Sequence, residues 1–257
     1  VSGLDPISLQ VLIGALRAAC EEMGATLIRS AYSANIKERH DCSTALFDAE
    51  GELVMQAEHI PVHLGSMPDA VAAVLGEEQQ PGCTWILNDP YRGGTHLPDV
   101  TLISPVFAGA ELLGFAASRA HHADIGGPTP GGMPAFSTSL EQEGVVIPPS
   151  RADDDELARL TSLMRAPKQR LADLRAQRAA NRIGETRLVE LADRLGPAAL
   201  REGLAAILAY SERRTRAALA ALPDGIYAAE EVLEDDRGGA ERDAVLRVEA
   251  TIEGGHL

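Results

Sequence analysis

The sequence predicts an α+β fold. A β-rich N-terminal half of mixed or antiparallel strands carries long amphipathic helices, and a helical hairpin followed by further strands completes the chain. Three observations predict it. Apolar residues recur at helical spacing early in the chain and again from Leu171 to Leu222; short strand-like runs separated by turn residues fill the stretch between; and an alternating strand pattern returns near the end. With 257 residues, 45% of them hydrophobic and 24% charged, the chain can bury a sizeable core. A linker near "VVIPPSRADDDELARL" divides it into regions 1–150 and 151–257.

In chain order, Asp5 and Pro6 supply a cap and a preset first turn. Leu9, Leu12, Leu16, Cys20, Met23 and Leu27 then mark one face of a long helix. "STALF" and "ELVMQ" flank a short acidic connection closed by Gly51, which reads as a hairpin. "GSMPDAVAAVLG" offers a short helix and "CTWILND" a strand, and "VTLISPVF" and "ELLGFAAS" are two strands joined through "AGA". "GGPTPGGMP" excludes regular structure and reads as a loop that lines a ligand or an interface. Leu171, Leu174, Leu188, Leu191 and Leu195 mark one helix, Gly196-Pro197 breaks it, and Leu200, Leu204, Leu208, Leu219 and Leu222 mark an antiparallel partner. "YAAEEVLEDD" and "AVLRVEATIEG" read as strands joined by "RGGAER". The first residue is Val1 and the last follows a strand pattern, so both ends are expected to be cuts in a longer chain.

Charge and cysteine usage narrow the function classes. The net charge is −15, with 38 acids against 23 bases, and Lys37 and Lys168 are the only lysines, so a nucleic-acid backbone would be repelled. Cys20, Cys42 and Cys83 are odd in number and lack CxxC spacing, which argues against a zinc ribbon or a disulfide scaffold and suits a reducing cytoplasm. No apolar run reaches the roughly 20 residues of a membrane span, and no signal-peptide pattern opens the chain. A membrane or secreted location is not expected. Neither G-x-S-x-G nor G-x-x-x-x-G-K-[ST] occurs, so a serine-hydrolase elbow and a Walker-type ATP site are both unsupported. Any ATP chemistry must come from another chain.

Six of the seven histidines lie in the first 122 residues, which places the polar chemistry in the strand-rich half. In His96-Leu97-Pro98-Asp99 a flat strand would point positions i and i+3 to opposite faces, so only a turn, favoured by Pro98 and Gly93-Gly94, aims both at one point. The competing reading makes Asp99 a turn cap and His96 a surface residue. His121 and His122 are adjacent at a strand end, so one joins a shared site and the other packs or supports it. His96, His121, Asp99 and a further carboxylate from Asp41 would form a nitrogen-and-oxygen set suited to zinc, manganese or iron(II), with Asp124 as an acceptor that orients an imidazole. His59 and His63 are four apart, but Pro61 between them argues against a helical ligand pair and for a structural or cleft-lining role. Cys42 reads more readily as a small buried thiol than as a nucleophile.

The segments "EEMGATLIRSAYSANIKERHDCSTALFDAEGELVMQAEHIPVHLGSMPDAV", "ILNDPYRGGTHLPDVTLISPVF", "ASRAHHADIGGPTPGGMPAFSTSLEQEG" and "LRAQRAANRIGETRL", in this order, resemble the hydantoinase B/oxoprolinase family, which includes alpha subunits of acetone-type carboxylases. The resemblance implies a hetero-oligomeric enzyme: a hydantoinase A-like partner uses ATP and the B-type chain handles the activated small cyclic amide. It implies metal ligation by His96, Asp99 and His121, with Asp41 as a further ligand, and leaves proton transfer to His122 or His59. Three departures stand out: family chains are about twice as long, Ala172 replaces a glycine, and 130–134 read "PGGMP" where "PGSMP" is usual. The activity implied is hydrolytic opening of a lactam or hydantoin ring. A ketone carboxylase and a metal-stabilised scaffold subunit are the alternatives.

Overall fold

A computed structural model describes residues 5–132, 134, 136–234 and 243–256. Met133 in the glycine- and proline-rich loop and the "RGGAER" connection lie outside the described residues. The chain forms two compact units, 1–204 and 205–257.

In the first unit, α1 (Pro6–Ser30) starts where the Asp5 carboxylate accepts from the Ile7 and Ser8 amides, and its buried stripe includes Leu9, Leu12, Leu16, Cys20, Met23 and Leu27. A single turn, α2 (Ala34–Lys37), leads to the hairpin β1 (Cys42–Asp48) and β2 (Leu53–Glu58). Next come a 3-10 turn (Pro61–His63) and α3 (Met67–Leu75), followed by β3 (Trp85–Leu87), β4 (Asp99–Ala108), β5 (Glu111–His121) and the short β6 (Ser150–Arg151). Helices α4 (Asp154–Ser162) and α5 (Pro167–Leu195) follow. The strands form one antiparallel sheet in the order β2-β1-β5-β4-β3-β6.

Side-chain alternation divides this sheet into two buried faces. Ala45, Phe47, Ile103, Phe115 and Ala117 pack under Met67, Ala70, Val71 and Val74 of α3. On the other face Val100 and Leu102 pack with Leu157 and Leu160 of α4 and Leu174 of α5. The helices α4 and α5, assigned from sequence to a second region beginning at 151, thus pack on the sheet within the first unit. The linker around 150 is itself the edge strand β6, paired with β3. The leucine spacing of α5 marks a buried face correctly, but its neighbours there are α1 and α4 as well as β4 and β5. Gly184 allows this close approach: a Cβ there would stand 2.6 Å from the Met23 sulfur and 2.9 Å from Ala116.

Helix α6 (Pro197–Leu219) begins after Gly196, whose positive φ ends α5. The second unit contains the antiparallel ribbon of β7 (Gly225–Leu233) and β8 (Ala244–Ile252), the two strands read from the alternating pattern. Among the described residues no helix is long and apolar enough to cross a membrane.

Candidate metal centre

Three strand-end devices bring distant polar residues to one place on the α3 face of the sheet. The first is the β4–β5 register, which sets Asp99 directly opposite His121. The carboxylate Oδ1 lies 3.4 Å from His121 Nδ1. The second is the tight turn before β4, in which the Asp99 and Val100 amides donate to the carbonyls of His96 and Pro98. It folds His96 back so that its Nδ1 lies 3.0 Å from Asp99 Oδ2, while Thr95 Oγ1 donates to the same oxygen at 2.9 Å. The third places Asp41 beside the end of β5, where the His121 amide donates to the Asp41 carbonyl. Asp41 Oδ2 then lies 3.8 Å from His121 Nδ1.

A fifth residue joins them. His63 ends the 3-10 turn opened by Pro61 and is fully buried, its Nδ1 3.0 Å from Ser43 Oγ on β1. Its Nε2 faces Asp99 Oδ2 at 3.4 Å and Asp41 Oδ1 at 3.9 Å. Pro61 does exclude an α-helical pair with His59, as the sequence suggested, yet the cleft-lining reading understates His63. The only signal in sequence was its position in "HIPVHLG", a histidine beyond a proline turn. Two overlapping triads result, His96-Asp99-His121 and Asp41-His63-Asp99, and Asp99 belongs to both.

Electrostatics mark Asp99 as the centre. Burial by itself would push its carboxyl up, but the surrounding imidazoles of His121, His63 and His96 outweigh that and hold it far below the usual carboxylate range. His96, half-buried, is raised above 6.5, first by its hydrogen bond to Asp99 and against the opposing effect of burial. On the same face Arg119 is completely buried and hydrogen-bonds to neutral groups: its Nε donates to Thr101 Oγ1 at 2.8 Å, and its Nη atoms donate to Ser66 Oγ at 2.6 Å and the Gly93 carbonyl at 3.1 Å. It ties the chain after His63 and the chain before His96 to the sheet, and its charge attracts Asp99. Sequence reasoning passed over this residue, although an arginine at an inward position of "FAASRAHH" was a visible breach of the strand pattern.

The remaining residues singled out from sequence lie elsewhere. His122 points through the sheet to the α5 face, where its Nε2 meets Gln177 Oε1 at 2.8 Å, and burial pushes its pKa down. His59 packs against α1, so close that a Cβ at Gly24 would stand 2.3 Å from its ring; burial, then neighbouring His40, pushes its pKa down. Asp124 meets no imidazole. Its oxygens accept from the Gly126 and Arg165 amides and from the Arg165 guanidinium, which also binds the Gly127 and Pro128 carbonyls and so shapes the proline-rich loop. Cys42 is buried, and its thiol is pushed up to about 12 by burial, as befits a packing residue.

The five clustered side chains offer the borderline nitrogens and hard oxygens that zinc, manganese or iron(II) accept. Their fit to a cation is visible in two buried atoms, His63 Nε2 and Asp99 Oδ1, which face the cluster and have no hydrogen-bond partner. Fold and site thus define an antiparallel α+β protein with a candidate metal centre at the end of its central strands. The chain belongs to the hydantoinase B/oxoprolinase family, whose sequence pattern matches residues 5–257. It is 37% identical over 245 residues to the caprolactamase subunit beta of Pseudomonas jessenii, covering 92% of this chain and 42% of that one. It is 41% identical over 202 residues to the 5-oxoprolinase of Dictyostelium discoideum, covering 75% of this chain and 16% of that one. The crystal structure of the ATP-dependent caprolactamase from P. jessenii superposes with a TM-score of 0.87 at 35% identity, over 98% of this chain and 45% of that chain. The chain therefore spans less than half the length of these relatives.

Proposed function

We propose that this chain is the B-type component of an ATP-dependent hydrolase that opens a lactam or hydantoin ring at the Asp41, His63, His96, Asp99 and His121 centre. The observation that carries the reading is Asp99, a buried carboxylate surrounded by three imidazoles, with two buried ligand atoms lacking any other partner. The names of the relatives, an oxoprolinase and a lactamase subunit, support the substrate class, and the word "subunit" supports a partner.

An amide ring resists water because resonance stabilises it and its nitrogen is a poor leaving group. In this reading a hydantoinase A-like partner spends ATP to phosphorylate the amide oxygen. A first water then adds to the carbon and the carbon–nitrogen bond breaks as nitrogen takes up a proton, leaving an acyl phosphate that a second water cleaves to carboxylate and phosphate. A bound divalent transition ion would supply Lewis acidity to the oxygen of substrate or water. The chain's own residues prepare that site. Ser43 engages His63 Nδ1 and leaves Nε2 aimed inward, Thr95 fixes one Asp99 oxygen, and the β4–β5 register fixes His121 against the other. His96 is the most exposed of the cluster's imidazoles and can give up its proton to solvent as the site loads. His122 and His59, considered as proton carriers from sequence, lie outside the cluster and act in this reading as packing and support.

The test is to purify the full chain with its hydantoinase A-like partner, measure metal by elemental analysis, and follow ATP turnover over lactams, hydantoins and ketones. The expected result is bound metal and ATP-coupled ring opening, both lost in His96→Ala. Bicarbonate consumed with ATP and a ketone would instead establish the carboxylase reading. Metal content and ring opening unchanged in His96→Ala would sink the proposal.

A further inference from the structure

Where α5 lies on the sheet, the side chains facing the strands should be apolar, since a helix stabilises its contact by burying hydrocarbon. Three are not. Asp173, Gln177 and Asn181 fall at i, i+4 and i+8 on one face of α5, and each is fully buried. Gln177 Nε2 donates to the Val100 carbonyl at 3.0 Å and the Ser118 carbonyl at 3.2 Å, bridging β4 and β5. Because both of its N–H groups are so used, its Oε1 is the atom facing His122, and His122 carries its proton on Nε2 to donate at 2.8 Å. One turn earlier, Asp173 Oδ1 accepts from the Tyr32 amide at 2.7 Å and the Ser33 amide at 3.0 Å, while Arg170 faces its other oxygen at 3.2 Å.

These contacts are not scattered. Val100 follows Asp99 and His122 follows His121, and Tyr32-Ser33 open the segment that runs through α2 to Asp41. The chain holds that segment together, the Asp41 amide donating to the Asn35 carbonyl. One helical turn therefore holds, from the far face of the sheet, Val100 and His122, the neighbours of two clustered side chains, and the start of the segment that leads to a third. It lies in "ADLRAQRAANR", a stretch to which the proposed mechanism gives no role.

We infer that the Asp173–Gln177 turn of α5 positions the metal ligands from behind, Gln177 setting Asp99 against His121 and Asp173 setting the segment that presents Asp41. Both are positioning residues, since neither reaches the cluster. Asn181, one turn further along the same stripe, binds the Leu102 carbonyl and faces Ser104 Oγ, away from every ligand. It is the internal control: equal in burial, helix and chemistry, but different in what it holds.

The inference rests on the metal-centre reading above, and the experiment separates the two. Zinc and manganese affinities of the full chain are measured by titration for the wild type, Gln177→Met and Asn181→Met, with thermal midpoints recorded alongside. The expected result is a loss of about 10- to 100-fold in affinity for Gln177→Met, with Asn181→Met near the wild type at a similar drop in midpoint. Affinity unchanged in Gln177→Met, or lowered equally in both variants, overturns the positioning role while the metal centre stands. A wild type that binds neither ion overturns both. Should Gln177→Met fail to fold, hydrogen exchange on the wild type decides: adding metal should slow exchange at Tyr32, Ser33 and the 173–181 turn, by reciprocity of the coupling. No protection there contradicts the inference.

Discussion

His121 and His122 are neighbours in sequence, yet the two faces of the sheet treat them oppositely. On the α3 face His121 joins four other groups whose ligand atoms converge, two of them, His63 Nε2 and Asp99 Oδ1, without a hydrogen-bond partner. On the α5 face His122 is enclosed with its Nε2 paired to Gln177, and burial favours its neutral form. The same ring thus faces a candidate cation site or packs as a strut according to which side of a strand it occupies. Convergence of ligand atoms from several segments marks the candidate site; a ring paired with a single amide marks support.

The sharpest way to break this comparison is to remove the group shared by both triads. Asp99→Ala should abolish specific binding of zinc or manganese, measured by elemental analysis after gel filtration, whereas His122→Phe should retain the ion with affinity lowered no more than about tenfold. Equal losses in the two variants would erase the distinction between the faces.

Acidity offers the next test. His96 must shed its proton to bind a cation, so affinity should fall as pH drops through its raised pKa, by about tenfold per unit once it is protonated. Without metal the sign reverses for His96. Its folded pKa lies above 6.5, so the stability it contributes is complete below 6.5 and is lost as pH rises through the raised value. Asp99 is lowered from 3.8, so its contribution is complete above that value and is lost as pH falls towards the depressed one. The pair therefore stabilises the metal-free protein most between about 3.8 and 6.5, and His96→Gln should narrow its thermal-midpoint difference from the wild type as pH rises beyond that window. A difference that grows with pH would contradict the assignment.

A smaller effect is expected at Ser43, whose hydroxyl engages His63. Ser43→Ala should weaken metal binding by about tenfold, read by competition with a chromophoric chelator. The least effect of all is expected at His59. His59→Gln should leave metal stoichiometry unchanged, because the ring packs on α1 outside the cluster; a lost ion would show that the cluster has been drawn too small.

Much of the scaffold was legible in sequence. The stripe of α1, the hairpin closed at Gly51 and the long strands β4 and β5 follow from local periodicity, and the turn at His96–Asp99 follows from what Pro98 and two glycines allow. That reading, with strand alternation, allowed His96 and Asp99 to meet and let only one of His121 and His122 join them; the choice of His96, Asp99 and His121 came from the family resemblance. The rest depends on contacts that no local pattern encodes. His63 enters through a turn whose direction is decided by Ser43 on another strand, and Arg119 and Gln177 have partners many residues distant. The placement of α5 against α1 is settled by packing at Gly184, where a missing Cβ matters only once the neighbour is known.

The central claim is that five imidazole and carboxylate groups from four segments bind one kind of cation at Asp99. X-ray absorption on the zinc-loaded full chain tests it most directly. The account predicts a nitrogen-and-oxygen shell near 2.0–2.2 Å with the outer-shell scattering of two or three imidazole rings. A shell of oxygen alone, without imidazole scattering, would contradict it.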